Sequence, residues 1–229
     1  MSRPKALVSW SSGKDSAFAL HEARAADALE VVGLLTTVTT AFHRVAMHGV
    51  REELLLRQIA ETGLACRTVG IPSPCSNDIY EQAMTVALLD AAAEGVTHVI
   101  FGDLFLEDIR AYRVAMLSKL GLTAVFPLWQ RATRTLARDM IAAGLRAMIT
   151  CVDPRQLDRS FAGRDFDEQL LAELPAAVDP CGERGEFHTF VTAGPMLAHG
   201  IAVVRGEVVE RDGFTFADLI PVDRPSAAR

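Results

Sequence analysis

The feature that most constrains this chain is the regular alternation, over its first 126 residues, of short apolar runs with longer segments of helical period. Residues 5–9 (KALVS), 30–38 (EVVGLLTTV), 66–71, 96–101 and 122–126 read as strands. Residues 14–28, 50–63, 77–94 and 107–120 read as helices, punctuated by Gly63 as a C-cap, Ser76 or Asn77 as an N-cap, and stops at Gly95 and Gly121. Strand–helix–strand, repeated four times, predicts a parallel sheet with helices on both faces. Nearly continuous apolar strands agree, because strands of such sheets are buried on both sides. The fold class is therefore α/β, with a Rossmann-like, doubly wound parallel sheet of five strands. Ligands of such sheets sit beyond the C-terminal strand ends. Strand one ends at residues 11–16, strand two near residues 36–40 and strand four at Gly102 and Asp103, so these should converge on one crevice.

After residues 126–129 (FPLW) the pattern changes. A helix is expected at 133–143, a strand at 147–152 and a short helix at 166–174. A loop-rich stretch follows at 178–191, then a hairpin over 201–220 with Asp212-Gly213 as its turn. The expected organisation is a first domain over residues 1–129 and a smaller α+β region over 130–229, with residues 224–229 as a loose tail. The 229 residues are half hydrophobic and 23% charged, enough for a substantial core. A net charge of −6 argues against broad nucleic-acid or membrane-surface binding. No apolar run reaches the roughly 18 residues that span a bilayer, and the N-terminus enters a strand without a signal-peptide pattern. Cys66, Cys75, Cys151 and Cys181 have no C-x-x-C spacing, so they read as reduced, packed thiols of a cytoplasmic protein.

The turn between strand one and helix one reads SWSSGKDS over residues 9–16. Small residues at a helix N-terminus leave backbone N–H groups and a positive dipole end aimed at one spot, which suits a phosphate. The hydroxyls of Ser11, Ser12 and Ser16 and the N–H groups around Gly13 are candidate phosphate ligands. Lys14 supplies a point charge. Asp15 either holds a Mg²⁺ or caps the helix. Trp10 is a packing residue or a crevice wall. The string is not a Walker A loop, which reads G-x-x-x-x-G-K-S/T.

Further candidates follow the later strands. His48 follows strand two and either meets nucleotide or substrate or serves structure; His188 stands open in the same way. Asp103, Glu107, Asp108, Arg110 and Arg113 follow strand four. Asp103 is suited to Mg²⁺ or ammonium, and Arg110 and Arg113, three apart on a helix, to a bidentate carboxylate clamp. The bland alternative is a solvated face laced with salt bridges. Glu183 and Glu186 flank Gly185 and either bind and deprotonate ammonium or are surface turn residues.

The Ser-x-Gly-Lys-Asp-Ser string resembles the PP-loop of the N-type ATP pyrophosphatases, which usually reads S-G-G-x-D-S, with Ser12 replacing the middle glycine. That resemblance implies an adenine nucleotide alpha hydrolase-like fold whose loop grips the pyrophosphate of ATP. A substrate oxygen attacks the α-phosphate, pyrophosphate leaves, and a nucleophile then displaces AMP. Residues 47–64 (MHGVREELLLRQIAETGL), 101–113 (FGDLFLEDIRAYR) and 181–189 (CGERGEFHT), with FPLW, resemble the diphthine–ammonia ligase family and its bacterial relatives over nearly the whole chain. The family's E-G-G-E-F/Y-x-T motif appears here as Glu183-Arg184-Gly185-Glu186-Phe187-His188-Thr189, with Arg184 and His188 as departures.

This second resemblance implies ATP-dependent amide formation with ATP and Mg²⁺, ammonia and a carboxylate acceptor of unidentified nature; the sequence shows no Cys-nucleophile elbow for making its own ammonia, so free ammonium is expected. It places Ser9, Ser11, Ser12, Gly13, Lys14, Asp15, Ser16, Thr36, His48, Gly102 and Asp103 on the ATP side. Glu107, Asp108, Arg110, Arg113, Glu183, Gly185, Glu186, His188 and Thr189 fall on the catalytic or acceptor side. Two other classes stay open: tRNA thiolation drawing on Cys75, Cys151 or Cys181, and a non-catalytic ATP-binding module. The 201–220 hairpin offers an edge for a homodimer.

Overall fold

The computed structural model describes residues 2–223; the expected tail at 224–229 lies outside the described residues. Five strands run parallel: β1 (Lys5–Ser9), β2 (Glu30–Thr39), β4 (Ala65–Ile71), β5 (Val96–Ile100) and β6 (Thr123–Val125). They lie in the spatial order β4-β2-β1-β5-β6. The chain winds outward from β1 in one direction, returns, and winds out in the other, so the switch point lies between β1 and β5. The sheet has a sixth strand that the alternation did not predict. It is β3 (Arg44–Val45), antiparallel to β2 at Val38 and Thr39, and two residues are too few to show a period.

The helices are α1 (Lys14–Ala26), α2 (Glu52–Thr62), α3 (Asn77–Ala93) and α4 (Glu107–Ser118). Their signals act as expected: Ile79 N–H donates to Ser76 Oγ at the start of α3, and Gly63 closes α2 at φ 69°. Helix α1 differs, because its cap is Gly13 in extended conformation with no side-chain cap bond, so Asp15 does not cap it.

The second region carries α5 (Thr133–Ala142), β7 (Arg146–Val152), a 3₁₀ turn at Arg159–Phe161, α6 (Glu168–Glu173), β8 (Phe187–Ala193), β9 (Val203–Arg211) and β10 (Phe214–Pro221). Its antiparallel sheet has the order β8-β7-β10-β9. The hairpin turns at Asp212 (φ 51°) and Gly213 (φ 80°), as the Asp-Gly pair predicts. Strand β8 corrects the expectation of a loop reaching to residue 191. Its alternation is hidden behind the Gly- and Pro-rich turn that precedes it, and pairing with β7 reveals it, Thr189 standing opposite Ile149.

Alternate residues of β1 face opposite sides. Ala6 and Val8 join one buried cluster, and Leu7 joins a second with Leu35, Leu88 and Leu117. The first cluster continues through Leu136, Ile149 and Phe190 to Ala217 and Leu219, so the two sheets share one core. Among the described residues no helix is long and apolar enough to cross a membrane.

Candidate active site

At the switch point the turn after β1 meets the turn after β5. Gly102 lies so close that a Cβ there would sit 2.6 Å from the Asp15 carbonyl carbon and 2.8 Å from the Ser16 nitrogen. The first turn is held from three directions. Its Ser12, at φ 68°, presents a carbonyl that accepts from Gln58 Nε2 and from Val191 N–H, both at 3.0 Å. Lys14 N–H donates to Thr189 Oγ1 at 3.1 Å. Ser11 and Ser16 are bonded to each other through their hydroxyls at 3.1 Å, and the Ser16 hydroxyl caps the Gly13 carbonyl at 3.0 Å.

Lys14 was expected to face phosphate. Its side chain instead turns inward and is 1% exposed. The ammonium donates to Asp15 Oδ2 at 2.8 Å and to the Cys181 carbonyl, and lies 5.6 and 5.3 Å from the ring centroids of Phe166 and Phe187. Burial pulls its pKa down, but Asp15, Cys181 and Glu183 outweigh burial, and Lys14 stays charged. Burial raises the Asp15 carboxyl, with Lys14 opposing. Asp15 Oδ1, Ser12 Oγ and Thr36 Oγ1 are buried and make no hydrogen bond. Unpaired buried polar atoms are costly, and a phosphate with its cation would satisfy them. The residues present therefore fit a phosphate group accompanied by a cation. Among the described residues no three His, Cys, Asp or Glu side chains group as a metal site.

Two histidines close one side. His48 donates Nδ1–H to the Thr189 carbonyl at 3.0 Å, which fixes its tautomer and leaves Nε2 as an acceptor. Its ring lies 4.7 Å from that of His188. Burial lowers their pKa values to about 4 and about 3, helped by the Lys14 charge, so both are neutral at pH 7.

On the other side stands Glu183. Its Oε1 accepts from Leu104 N–H at 2.7 Å and more weakly from Phe105 N–H at 3.5 Å. Burial raises its pKa to about 7, with the Asp15 and Asp103 charges adding to the rise and the Leu104 bond opposing it. Glu186 does not share this position. It is fully buried, and its two oxygens accept from Asp179 N–H and Arg184 N–H, each at 2.9 Å, so it shapes the turn and does not face ammonium. Gly185, at φ 83°, provides the left-handed step between them.

The expected Arg110–Arg113 clamp does not form. Arg113 lies 2.7 Å from Asp103 and 4.4 Å from the Phe101 ring centroid. Arg110 turns to Phe126 and Trp129, at 5.6 and 5.0 Å. Three apart on a helix is adjacent, but different tertiary partners pull the two guanidinium groups apart. Glu107 and Asp108 stand exposed in the first turn of α4, where the helix dipole favours acids, and Ser9 ends β1 half-buried.

Sequence reasoning missed Gln58, Asp179 and Thr133. Gln58 Oε1 accepts from Trp10 Nε1 at 3.1 Å, which settles Trp10 as a packing residue, while its Nε2 serves Ser12 and, at 2.7 Å, the Val191 carbonyl. Asp179 accepts from Thr133 Oγ1 at 2.7 Å and from Cys181 N–H at 2.9 Å. A lone Gln at a buried position of an amphipathic helix was the available signal for Gln58.

The four cysteines are free, with Cys151 and Cys181 buried. Burial pushes the Cys151 thiol up to about 12 and the Cys181 thiol higher still, which suppresses the thiolates that sulfur transfer would need.

The family model described as the diphthamide synthase C-terminal domain matches residues 132–219. Curated relatives named diphthine–ammonia ligase align over 187 residues. The human protein is 30% identical over 79% of this chain and 70% of its own length, as is the mouse protein, and the bovine protein is 29% identical over the same shares. With this identity and coverage joined to a crevice of this geometry, the chain belongs to the diphthine–ammonia ligase family, a family of ATP-dependent ligases that form amides.

Proposed function

We propose that this chain activates a carboxylate as its adenylate and transfers it to ammonia at the switch-point crevice. The carboxylate oxygen attacks the α-phosphorus of ATP, the bond from that phosphorus to the bridging oxygen breaks, and pyrophosphate leaves. Ammonia then attacks the acyl carbon and AMP departs. The turn at residues 11–16 binds the phosphates through Ser12, through the backbone around Gly13, and through the field of the α1 N-terminus. A Mg²⁺ accompanying the phosphates would take Asp15 Oδ1 as its protein ligand and neutralise developing charge on the leaving group.

The observation that carries this reading is the position of Glu183. Its carboxyl stands beside Asp15 and Asp103, raised to a pKa of about 7. A carboxylate there binds ammonium and takes the proton that nitrogen must lose, either before attack or as the amide forms. Asp15 and Asp103 nearby are already paired, with Lys14 and Arg113, so among the described residues Glu183 is the carboxylate of this group with no cation at ion-pair distance. Arg110, stacked on Trp129 and exposed on α4, meets the acceptor at the mouth. The suppressed thiols of Cys151 and Cys181 weigh against the thiolation alternative.

The test is pyrophosphate–ATP exchange with Mg²⁺, with and without a small-molecule extract of the source cell, followed by AMP release on adding ammonium. Extract-dependent exchange with ammonium-dependent AMP release supports the two half-reactions. AMP release driven equally well by glutamine alone would overturn free ammonium as the nitrogen donor.

A further inference from the structure

Two guanidinium groups beside Glu183 carry charge that the fold leaves unneutralised. Arg113 is paired with Asp103, and Arg131 with Glu22 and Asp139. Arg110, exposed on α4, has no carboxylate at ion-pair distance among the described residues. Arg184, with its side chain 56% exposed, has Glu186 Oε1 at 3.9 Å, but the Glu186 oxygens already accept from Asp179 N–H and Arg184 N–H. We propose that Arg110 and Arg184 select the acceptor, a small molecule that carries a second oxyanion, carboxylate or phosphate, besides the carboxyl to be amidated. The two guanidinium groups hold that second oxyanion. The inference rests on the amide-forming reading above and names the chemical class of its acceptor.

Leu104 brings the two groups to one place. Its N–H donates to Glu183 Oε1 at 2.7 Å, and next in the chain is Arg184, whose guanidinium lies 5.4 Å from the Phe105 ring centroid. The Leu104 carbonyl accepts from Gln130 N–H at 2.7 Å, and next to Gln130 is Trp129, the ring on which Arg110 stacks at 5.0 Å. Phe105 and Trp129 are both half-buried, so each ring is a fixed platform. Both cations therefore border the loop that holds the proposed base.

The chemistry is that of oxyanion capture. A ring against one face of a guanidinium leaves the in-plane N–H groups free, and these match the paired oxygens of a carboxylate or phosphate. The group held in this way is not the one that reacts, because a carboxylate with both oxygens bonded is a poor nucleophile towards phosphorus. An extended polyanion fits less well. Glu107 and Asp108 stand exposed on the same turn of α4 as Arg110, and the chain as a whole carries a charge of −6.

Position 184 is one of this chain's own departures. The motif that residues 183–189 resemble has glycine there. The left-handed step of the turn falls on Gly185, at φ 83°, so position 184 accepts a side chain without strain. Its backbone is held at both ends: the N–H donates to Glu186 Oε2 at 2.9 Å, and the carbonyl accepts from Gln156 Nε2 at 3.5 Å. A chain with glycine at this point lacks the second guanidinium, so the selectivity follows from this sequence.

The test is pyrophosphate–ATP exchange driven by the small-molecule extract, with butyrate, succinate and 3-phosphonopropanoate as competitors. In wild type, succinate or 3-phosphonopropanoate should inhibit at a concentration roughly ten-fold or more below that of butyrate. The stronger of the two identifies the second oxyanion as carboxylate or phosphate. In the Arg110→Gln/Arg184→Gly variant that preference should fall to within about two-fold, and the extract needed for half-maximal exchange should rise roughly ten-fold, with half-saturating ATP within about two-fold of wild type. Both side chains are exposed, and a thermal melt checks that the variant is folded. Equal inhibition by all three competitors in wild type overturns the assignment without recourse to a variant. A preference that survives in the folded variant overturns it too, as does exchange driven only by the protein-sized fraction of a whole extract, which would mean a protein acceptor. A wild type that shows no exchange with either extract overturns the amide-forming reading itself, and this assignment with it.

Discussion

Gln58 holds the carbonyl of Ser12 at 3.0 Å, and Val191 N–H holds the same oxygen at the same distance. The peptide between Ser12 and Gly13 is planar and trans, so its N–H points opposite to its C=O. Tying the carbonyl into the protein therefore turns Gly13 N–H outward, where its partner is the Ser11 hydroxyl at a long 3.4 Å. A left-handed serine costs about 1–2 kcal/mol, and two hydrogen bonds of about 1 kcal/mol each offset that. Replacing Gln58 by Leu removes one of them and leaves the Trp10 indole without its acceptor. The expected result is a rise in KM for ATP of about ten-fold beside a stability loss of about 1–3 kcal/mol. Steady-state kinetics with thermal denaturation checks this. A drop in melting temperature with an unchanged KM for ATP would mean that Gln58 serves stability alone.

Lys14 sits in the interior with Asp15 and the Cys181 carbonyl as partners. Lys14→Ala leaves Asp15 as an uncompensated acid in partly buried surroundings. The expectation is a loss of about 3 kcal/mol of stability together with turnover. Chemical denaturation of the variant should show a lowered midpoint. A native midpoint with lost turnover would return Lys14 to a direct role on phosphate.

Gly102 has no room for a side chain against the Asp15–Ser16 backbone. Gly102→Ala must push the two turns apart, at a cost of about 1–3 kcal/mol. Because the strain falls on the phosphate turn, ATP affinity should fall about ten-fold or more, measurable by calorimetry, while far-UV circular dichroism stays native.

Glu183 makes the site pH-sensitive. Its folded pKa of about 7 lies above the ordinary 4.5. The stability it contributes is complete below about pH 4.5 and is lost as pH rises through 7, because the folded protein binds the extra proton. Activity moves the other way: a base must be unprotonated, so ammonia transfer should climb to a plateau above about pH 7. Glu183→Gln should flatten that profile and lower the rate by about 10²–10⁴-fold. Rate–pH and melting temperature–pH series on both proteins check the two signs. A Glu183→Gln variant with the wild-type profile would remove Glu183 from proton transfer.

Local patterns in the chain carried a large part of the fold. The branched run of β2, the Gly63 and Ser76 caps and the Asp212-Gly213 turn each act over a few residues, and their positions held to within a residue or two. Strand β8 escaped because its signal lies in its pairing with β7, and the stretch before it is rich in turn residues. The site split along the same line. Gly13 and the serines around it are legible, since a small-residue turn between strand and helix has few other uses. Arg113 was misplaced because helical spacing cannot tell whether a guanidinium meets Asp103 or solvent. Glu186 was misplaced because its partners, Asp179 and Arg184, lie in its own turn, whose folding spacing does not reveal.

By itself, then, the order of residues determined the parallel sheet, the phosphate turn and the motif that follows it, because backbone preference and hydrophobic period are short-range properties. Tertiary structure alone decided which groups face the crevice. Lys14 turns inward to a carbonyl 167 residues away, Gln58 reaches Ser12 across 46, and Glu183 meets the Leu104 amide across 79. Burial then sets their charge, raising Glu183 and neutralising His48 and His188. Desolvation depends on what packs around a group, and no local window of sequence contains that.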